Sequence, residues 1–174
     1  MLNSGKNIWR NAVFEVYWFT GLSGAGKTTI AKKYAGLMGA RLIDADEVRE
    51  GLCSNLGFSI EDRTENVRRI AELAKMIATE TMVVVACISP LKKQRRMARE
   101  IIGPEFYEVF VDTPIDNCEE RDPKGLYKKV RNGEIKNFTG IDSPYERPES
   151  PEFILDGTKP IGENIDILNG AQDE

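Results

Sequence analysis

The alternation of apolar and polar positions predicts strands and helices in turn along the chain. Five short apolar runs rich in β-branched and aromatic residues predict strands, and stretches with helical spacing lie between them. The predicted strands are residues 13–19 (with Val13, Val16, Trp18 and Phe19 apolar), 41–43, 82–88, 108–112 and 153–155. The run 82–88 is continuously apolar, which is typical of a central parallel strand covered on both faces. The pattern therefore favours an open α/β sheet.

Apolar residues at helical spacing predict helices between these strands. Ile30, Tyr34, Leu37 and Met38 follow the first strand at such spacing. The sequence Ser59-Ile60-Glu61-Asp62 is a capping box that opens a long helix. The apolar stripe of that helix is formed by Val67, Ile70, Ala71, Ala74, Ile77 and Ala78. Pro114 predicts a short helix with proline at its first position.

A further helix is predicted after Pro90, and it carries many cations. Its apolar positions are Leu91, Ala98, Ile101 and Ile102, and its basic residues are Lys92, Lys93, Arg95, Arg96 and Arg99. Because a run of charges on a helix is usually solvated, we interpret these residues as an exposed basic face.

The second half of the chain contains segments with little core-forming character. Residues 121–142 are charged, contain several glycines and are poor in core residues, so we predict a mobile lid over an anionic substrate, with an exposed linker as the alternative. Residues 143–152 are rich in proline and are expected to be extended. The tail 159–174 is weakly patterned. We expect a single domain over residues 1–174.

The amino-acid composition excludes some classes of partner and some catalytic groups. The formal charge of −4 and a pI near 5.2 disfavour a nucleic-acid polymer as partner. Residues 1–13 lack the apolar core of a signal peptide, and no run approaches the roughly 18 apolar residues of a membrane helix, so we expect no membrane association. Cys53, Cys87 and Cys118 show no C-x-x-C spacing, which favours a reducing cytoplasm. The sequence has no histidine, so a general base must be a carboxylate.

The segment Gly21-Leu22-Ser23-Gly24-Ala25-Gly26-Lys27-Thr28 matches the phosphate-binding loop G-x-x-x-x-G-K-[ST] at every fixed position. Its glycines allow backbone N–H groups to surround a polyphosphate at a helix N-terminus. The ammonium of Lys27 suits the β- and γ-phosphates, and the hydroxyl of Thr28 suits Mg²⁺. We assign this loop, together with Thr29, to the binding of ATP and Mg²⁺.

Two carboxylates follow the second predicted strand. Asp44 and Asp46 lie at its carboxyl end, where open α/β sheets bind ligands. The alternative is that Asp46 caps a helix over residues 47–52. Beside a phosphate-binding loop the functional interpretation is favoured. We expect Asp44 on the Mg²⁺ side, through bound water, and Asp46 at the acceptor hydroxyl.

Ser89 ends the strand 82–88, at the position where a motor-type ATPase would carry a Walker-B aspartate. This difference favours a small-molecule kinase.

The long helix also carries polar residues beside its apolar stripe, where most arginines are solvated. They are Arg63, Asn66, Arg68 and Arg69.

Beyond the phosphate-binding loop, several longer motifs resemble the adenylyl-sulfate kinase family. They are residues 44–52, 57–59, 61–63, 65–69, 88–90, 122–127 and 138–142, and the likeness covers roughly residues 18–155. The resemblance implies a three-layer P-loop kinase fold with a parallel five-stranded sheet, usually as a homodimer. It also implies transfer of the γ-phosphoryl group of MgATP to the 3′-hydroxyl of adenosine 5′-phosphosulfate, in sulfate activation.

The resemblance also implies roles for individual residues. Phe58 and Phe138 match the pair that sandwiches the acceptor adenine, and the residues implied around the rest of the acceptor are Arg49, Arg63, Asn66, Ile88, Ser89 and Lys124. Ser89 matches a serine described in the family as a phosphoserine intermediate. Because direct in-line transfer needs no covalent step and no histidine is present to activate the hydroxyl, we expect Ser89 to be a polar lining group.

The sequence departs from the family pattern at several positions. Ala45 replaces a glycine, Glu50 replaces a usual histidine, the connection before Asp44 is short, and the tail after Leu155 is expected to lack the family's closing helix. These departures leave two alternatives open. One is a related P-loop kinase acting on a different hydroxyl acceptor, and the other is a nucleotide-dependent regulatory protein that hydrolyses little.

Overall fold

The computed structural model describes residues 13–170, which form a parallel sheet between two layers of helices. The strands are β1 (Val16–Thr20), β2 (Arg41–Asp44), β3 (Val83–Ala86), β4 (Phe106–Asp112) and β5 (Phe153–Asp156). The helices are α1 (Lys27–Met38), α2 (Ala45–Glu50), α3 (Ile60–Ile77), α4 (Lys92–Ile102), α5 (Ile115–Arg121), α6 (Leu126–Arg131) and α7 (Ile161–Gly170). The five predicted strands are confirmed, with shifts of a few residues at their ends.

The strand order is β2-β3-β1-β4-β5, and every pairing is parallel. All five residues of β1 are buried because this strand lies in the middle of the sheet. Its alternate side chains enter two separate cores. Tyr17 and Phe19 pack on the side of α1 and α7, whereas Val16 and Trp18 pack on the side of α3 and α4. The three-layer α/β prediction is therefore confirmed.

The helix starts refine two of the predictions. Ser59 caps α3 by accepting a hydrogen bond from the backbone N–H of Asp62, as the capping box predicts. The helix after β2 is Ala45–Glu50, and its N-cap is Asp44, so the alternative of Asp46 capping a helix over residues 47–52 is wrong. Pro114 is the N-cap of α5 instead of its first residue. Val13 lies outside β1 and is exposed.

The structure corrects three interpretations of the weaker patterns. The prediction that the tail after Leu155 lacks a closing helix is wrong: α7 is present, because Ile165 and Leu168 bury their side chains in the core that α1 and β5 share. The basic face of α4 is not fully solvated, since Arg95 is only 3% exposed. Within residues 121–142, called the lid segment below, α6 buries Tyr127, so this segment does contribute to the core.

Across residues 13–170, no helix combines the length and the apolar character needed to cross a membrane. The three cysteines are all buried and unpaired.

Candidate active site

A cavity of about 1320 Å³ lies at the carboxyl ends of β2 and β3, beside the phosphate-binding loop. Residues from α2, the first half of α3 and the lid segment close its other sides. This is the edge at which ligands bind in an open parallel sheet, because loops and helix N-termini converge there. The residues predicted from the sequence that line this cavity are Ser23, Gly24, Gly26, Lys27, Thr28, Thr29, Asp44, Asp46, Arg49, Phe58, Arg63, Asn66, Ile88, Ser89, Lys124 and Phe138.

The phosphate-binding loop has the backbone geometry that its glycines predict. Gly21, Gly24 and Gly26 have φ angles of 148°, 75° and 103°. A Cβ on Gly21 would lie 2.7 Å from the carbonyl oxygen of Val111, so the close approach of two backbones also requires glycine there. Gly21, Leu22 and Ala25 shape the loop without lining the cavity.

Lys27 begins α1 and directs its ammonium back over the loop. Its Nζ donates a hydrogen bond of 2.6 Å to the backbone carbonyl of Leu22, and the side chain is buried. Burial disfavours the charged form and lowers the pKa of Lys27 to about 8. A polyphosphate in the loop would supply the negative charge that this buried cation needs.

Thr28 and Asp44 form the part of the cavity that suits a magnesium ion. The hydroxyl of Thr28 donates a hydrogen bond of 2.8 Å to Oδ2 of Asp44, while Oδ1 of Asp44 accepts from the backbone N–H of Asp46. Both side chains offer oxygen ligands, as Mg²⁺ prefers. Residues 13–170 contain no group of three or more His, Cys, Asp or Glu side chains arranged around a metal position. A magnesium ion held through one carboxylate, phosphates and waters does not require one.

Asp46 lies in the first turn of α2, and its carboxylate is exposed. It forms an ion pair with Lys124 of the lid segment. Asp44 and Asp46 therefore line one cavity, as predicted, but they differ in environment, since Asp44 is 7% exposed and is tied to the phosphate-binding loop. The departures Ala45 and Glu50 also line the cavity.

The aromatic pair lines the same cavity as the phosphate-binding loop. Phe58 is 65% exposed, and the guanidinium of Arg49 lies 4.6 Å from its ring centre. Phe138 packs edge to face on Tyr127, with ring centres 5.0 Å apart. An exposed ring whose neighbour is a cation is available to stack on a nucleobase.

Arg63 ties α3 to the lid segment. Its guanidinium donates hydrogen bonds to Thr139 Oγ1 and to the carbonyl oxygen of Asn137, both at 2.7 Å, and to the carbonyl oxygen of Phe58 at 2.8 Å. Burial lowers the pKa of Arg63 from its ordinary value, with the nearby Arg49 adding to the effect. The side chain thus connects the segments that carry Phe58 and Phe138.

Asn66 is the clearest unsatisfied group in the cavity. It is 4% exposed, and its Oδ1 has no hydrogen-bond partner. Because a buried polar atom without a partner is costly, its position at the cavity wall indicates a ligand that supplies a donor.

Ser89 is buried, and its hydroxyl already has two partners. Its Oγ accepts a hydrogen bond of 3.0 Å from Nε1 of Trp18 and donates one of 3.3 Å to the carbonyl oxygen of Cys87. Burial raises the pKa of the neighbouring Cys87 thiol to about 11, so this thiol stays protonated at neutral pH. Neither of these partners of the Ser89 hydroxyl, an indole N–H and a backbone carbonyl, can act as a general base.

Sequence reasoning missed one wall of the cavity. Arg121, Gly157 and Lys159 line it, and Arg121 donates a hydrogen bond of 2.7 Å to the carbonyl oxygen of Gly157. A Cβ on Gly157 would lie 1.9 Å from Thr113 Oγ1, so only glycine fits. The available signal was the polar turn after the last strand, at the same sheet edge as Asp44.

Comparisons with known proteins identify the family of the chain. The family model described as adenylylsulphate kinase matches residues 14–156. The adenylyl-sulfate kinase of Enterobacter sp. (strain 638) is 53% identical over 164 residues, which cover 88% of this chain and 82% of that protein. The Pseudomonas aeruginosa adenylyl-sulfate kinase is 56% identical over 148 residues, covering 81% and 76% of the two chains.

Among solved structures, the Mycobacterium tuberculosis APS kinase in complex with AMPPNP and APS superposes with a TM-score of 0.88. The two sequences are 42% identical, and the match covers 92% of this chain and 98% of that chain.

Proposed function

The chain belongs to the adenylylsulphate kinase family, and from this premise we propose that its cavity transfers the γ-phosphoryl group of ATP to the 3′-hydroxyl of adenosine 5′-phosphosulfate. The protein is an ATP-dependent kinase with a hydroxyl acceptor. One observation carries the proposal for this cavity. The cavity of about 1320 Å³ has the phosphate-binding loop in one part of its wall, and Phe58, Phe138 and Asn66 line another part of the same wall. Such a volume is larger than that of most single-ligand pockets.

On the donor side, the loop N–H groups and Lys27 bind the polyphosphate of ATP. Phosphoryl transfer asks the protein mainly to position the reactants and to stabilise charge on the transferred group. The Lys27 ammonium can follow the charge that develops between the β- and γ-phosphates. Thr28 and Asp44 would hold Mg²⁺, which when bound neutralises charge on the phosphate oxygens.

On the acceptor side, Asp46 is the carboxylate that we assign to the 3′-hydroxyl. A loose transition state needs a base only to orient the hydroxyl and to take its proton late. The ion pair of Asp46 with Lys124 brings the lid segment to the same point. Phe58 and Phe138 stack on the acceptor adenine, while Arg49, Arg63, Asn66, Ile88, Ser89 and Lys124 complete the acceptor half of the cavity.

We propose direct transfer, without a phosphoserine intermediate. Ser89 is only 1% exposed, and its hydroxyl is hydrogen-bonded to the Trp18 indole and the Cys87 carbonyl. The hydroxyl is therefore not free to point toward a γ-phosphate. A covalent route would also need a base at this hydroxyl.

The experiment that tests the function measures ATP consumption with adenosine 5′-phosphosulfate beside a panel of small alcohols and nucleosides. We expect turnover that depends on adenosine 5′-phosphosulfate and gives 3′-phosphoadenylyl sulfate. Preference for another alcohol would refute the proposed acceptor. ATP turnover that is unaffected by any acceptor would refute transfer itself.

We also propose that the protein is a homodimer in a reducing cytoplasm. Sedimentation velocity tests the first statement and cell fractionation the second. A monomer at micromolar concentration would contradict the homodimer.

A further inference from the structure

The turn between β3 and α4 has a backbone conformation that residues other than glycine rarely adopt. Ser89 has a φ angle of 39° and is almost fully buried. Together with Ile88 and Pro90 it forms part of the cavity wall. Strained backbone of this kind persists only where the surrounding structure holds it in place. The side chains that hold this turn therefore influence the shape of the acceptor half.

Arg95 of α4 is the main side chain that holds the turn. Its Nη1 donates a hydrogen bond of 2.8 Å to the carbonyl oxygen of Ser89, and its Nη2 donates one of 2.7 Å to that of Glu146. Its Nε lies 2.6 Å from Oε1 of Glu108 on β4. The rigid guanidinium thus spans three elements at once, a geometry that a lysine ammonium cannot reproduce.

Two side chains of β1 also support the turn, one through an indole N–H and one through a hydroxyl. Nε1 of Trp18 donates to Oγ of Ser89 at 3.0 Å, and Oγ1 of Thr20 donates to the carbonyl oxygen of Ile88 at 2.6 Å. These contacts fix the side chain of Ser89 and the peptide before it, whereas Arg95 fixes the peptide after it.

Glu146 connects the same turn to the segment that follows the lid. Its backbone N–H donates to the carbonyl oxygen of Pro90 at 2.8 Å, and its carboxylate accepts from the N–H of Lys92 at 2.6 Å. Its carbonyl oxygen is the one that Arg95 binds. Arg95 and Glu146 therefore enclose the turn from two sides.

We propose that Arg95 is a positioning residue for the acceptor, an inference that rests on the proposed function. Arg95 does not line the cavity, so it acts on the acceptor only through the turn that it holds. By holding the Ser89 carbonyl, it keeps the Ile88–Pro90 backbone where the acceptor meets it. Loss of this contact lets Ser89 relax toward ordinary backbone angles, which moves that wall without disturbing the phosphate-binding loop.

The test compares Arg95→Lys with the matched control Arg96→Lys. Arg96 is the next residue of α4, but its side chain is 76% exposed, and its nearest carboxylate, that of Glu100, lies 3.7 Å away. Steady-state kinetics are measured with ATP and adenosine 5′-phosphosulfate varied in turn. In R95K we expect the KM for adenosine 5′-phosphosulfate to rise about tenfold. The KM for ATP should stay within about twofold of the wild type, and R96K should match the wild type in both.

A second variant keeps the test decisive if R95K does not fold. Trp18→Phe removes the donor to Ser89 Oγ while leaving the contacts of Arg95 in place, and it should raise the acceptor KM about threefold.

Three outcomes would overturn the inference. One is an R95K enzyme with a lower melting temperature but wild-type KM values, which would show that Arg95 only stabilises the fold. Another is an equal rise of both KM values, and the third is an unfolded R95K beside a W18F enzyme with wild-type KM values. A wild-type enzyme that is inactive on adenosine 5′-phosphosulfate would refute the proposed function and this inference together, whereas an active one leaves the comparison valid.

Discussion

At the scale of single residues, the site depends on charges placed where water is scarce. Lys27 is buried, and its hydrogen-bond partner is the neutral carbonyl of Leu22. Asp44 is buried beside Thr28. Electrostatic interactions are stronger in such a setting than in water, so a bound phosphate gains more from the Lys27 ammonium, and a bound cation gains more from the Asp44 carboxylate.

The lowered pKa of Lys27 predicts how ATP binding depends on pH. Lys27 is charged below its pKa of about 8 and neutral above it in the free protein. Because phosphate binding favours the charged form, ATP affinity should be constant at lower pH. It should then fall by up to about tenfold for each pH unit as the pH rises through 8. Isothermal titration calorimetry between about pH 6.5 and pH 9.5 measures this dependence.

Lys27→Met is the control for that experiment. It lacks the titrating group, so its affinity should be weaker but flat over the same range. An identical pH profile in the wild type and in this variant would assign the dependence to another group.

Lys27→Ala should lower the rate of turnover by about a hundredfold or more, because the variant loses one preorganised electrostatic contact.

The two carboxylates predict different responses to Mg²⁺. Asp44→Asn should raise the Mg²⁺ requirement, and asparagine caps a helix as well as aspartate, so α2 is expected to remain. Asp46→Asn should lower turnover strongly with little change in ATP affinity, and the exposed ion pair with Lys124 contributes little to stability. Turnover measured against Mg²⁺ for both variants separates the roles. Identical profiles, or the two phenotypes exchanged, would contradict the assignment.

At the scale of elements, each helix is fixed by what its buried face meets. The α7 helix is short, and its polar residues give it a weak pattern. It is nevertheless anchored by Ile165 and Leu168 in the core around α1 and β5. Asn164 adds a hydrogen bond of 2.9 Å to the carbonyl oxygen of Asp156, which ties α7 to the end of β5. Most of its stability therefore comes from packing and not from intrinsic helix propensity.

Two neighbouring residues of α7 test this account. Leu168 is 0% exposed, whereas Ile167 is 46% exposed. Leu168→Ala should lower the free energy of unfolding by about 2–5 kcal/mol, because it leaves a cavity in the core. Ile167→Ala should change it by about 0.5 kcal/mol or less. Urea-induced unfolding of both variants measures the difference, and equal effects would mean that α7 does not pack as described.

At the scale of the whole molecule, the candidate active site is assembled from distant parts of the chain. The first half of the protein supplies the phosphate-binding loop, Asp44 and Phe58, and the lid segment supplies Lys124 and Phe138. Arg63 joins these parts through its hydrogen bonds to Asn137 and Thr139. The affinity for the acceptor should therefore depend on how α3 and the lid segment are placed relative to each other.

The aromatic pair gives the corresponding prediction. Phe58→Ala or Phe138→Ala should weaken binding of adenosine 5′-phosphosulfate by about 1–3 kcal/mol, as the loss of one base-stacking ring does. ATP binding should be largely unchanged, because the proposed function places these rings on the acceptor adenine and not on the polyphosphate of ATP. Calorimetric titration with each ligand measures both affinities.

Phe14→Ala is the control, since Phe14 is also a partly exposed ring, at 40%, but does not line the cavity. Equal weakening of both ligands in the Phe58 variant would contradict the assignment of its ring to the acceptor.

The sequence by itself determined the features that depend on neighbours along the chain. The phosphate-binding loop could be recognised because its glycines, Lys27 and Thr28 act within one turn between a strand and a helix. The strands were predictable because their apolar runs record burial directly. The longer motifs indicated the family.

Only the tertiary structure decided how separate segments support one another. The basic residues of α4 look alike in sequence, yet Arg95 is buried between Ser89, Glu108 and Glu146, while Arg96 is exposed. Ile165 and Leu168 of α7 are too few to predict a helix from the sequence, and their burial is decided by the contacts of α7 with α1 and β5. These outcomes follow from contacts between residues far apart in the chain, because burial and charge pairing depend on which surfaces meet in the folded protein.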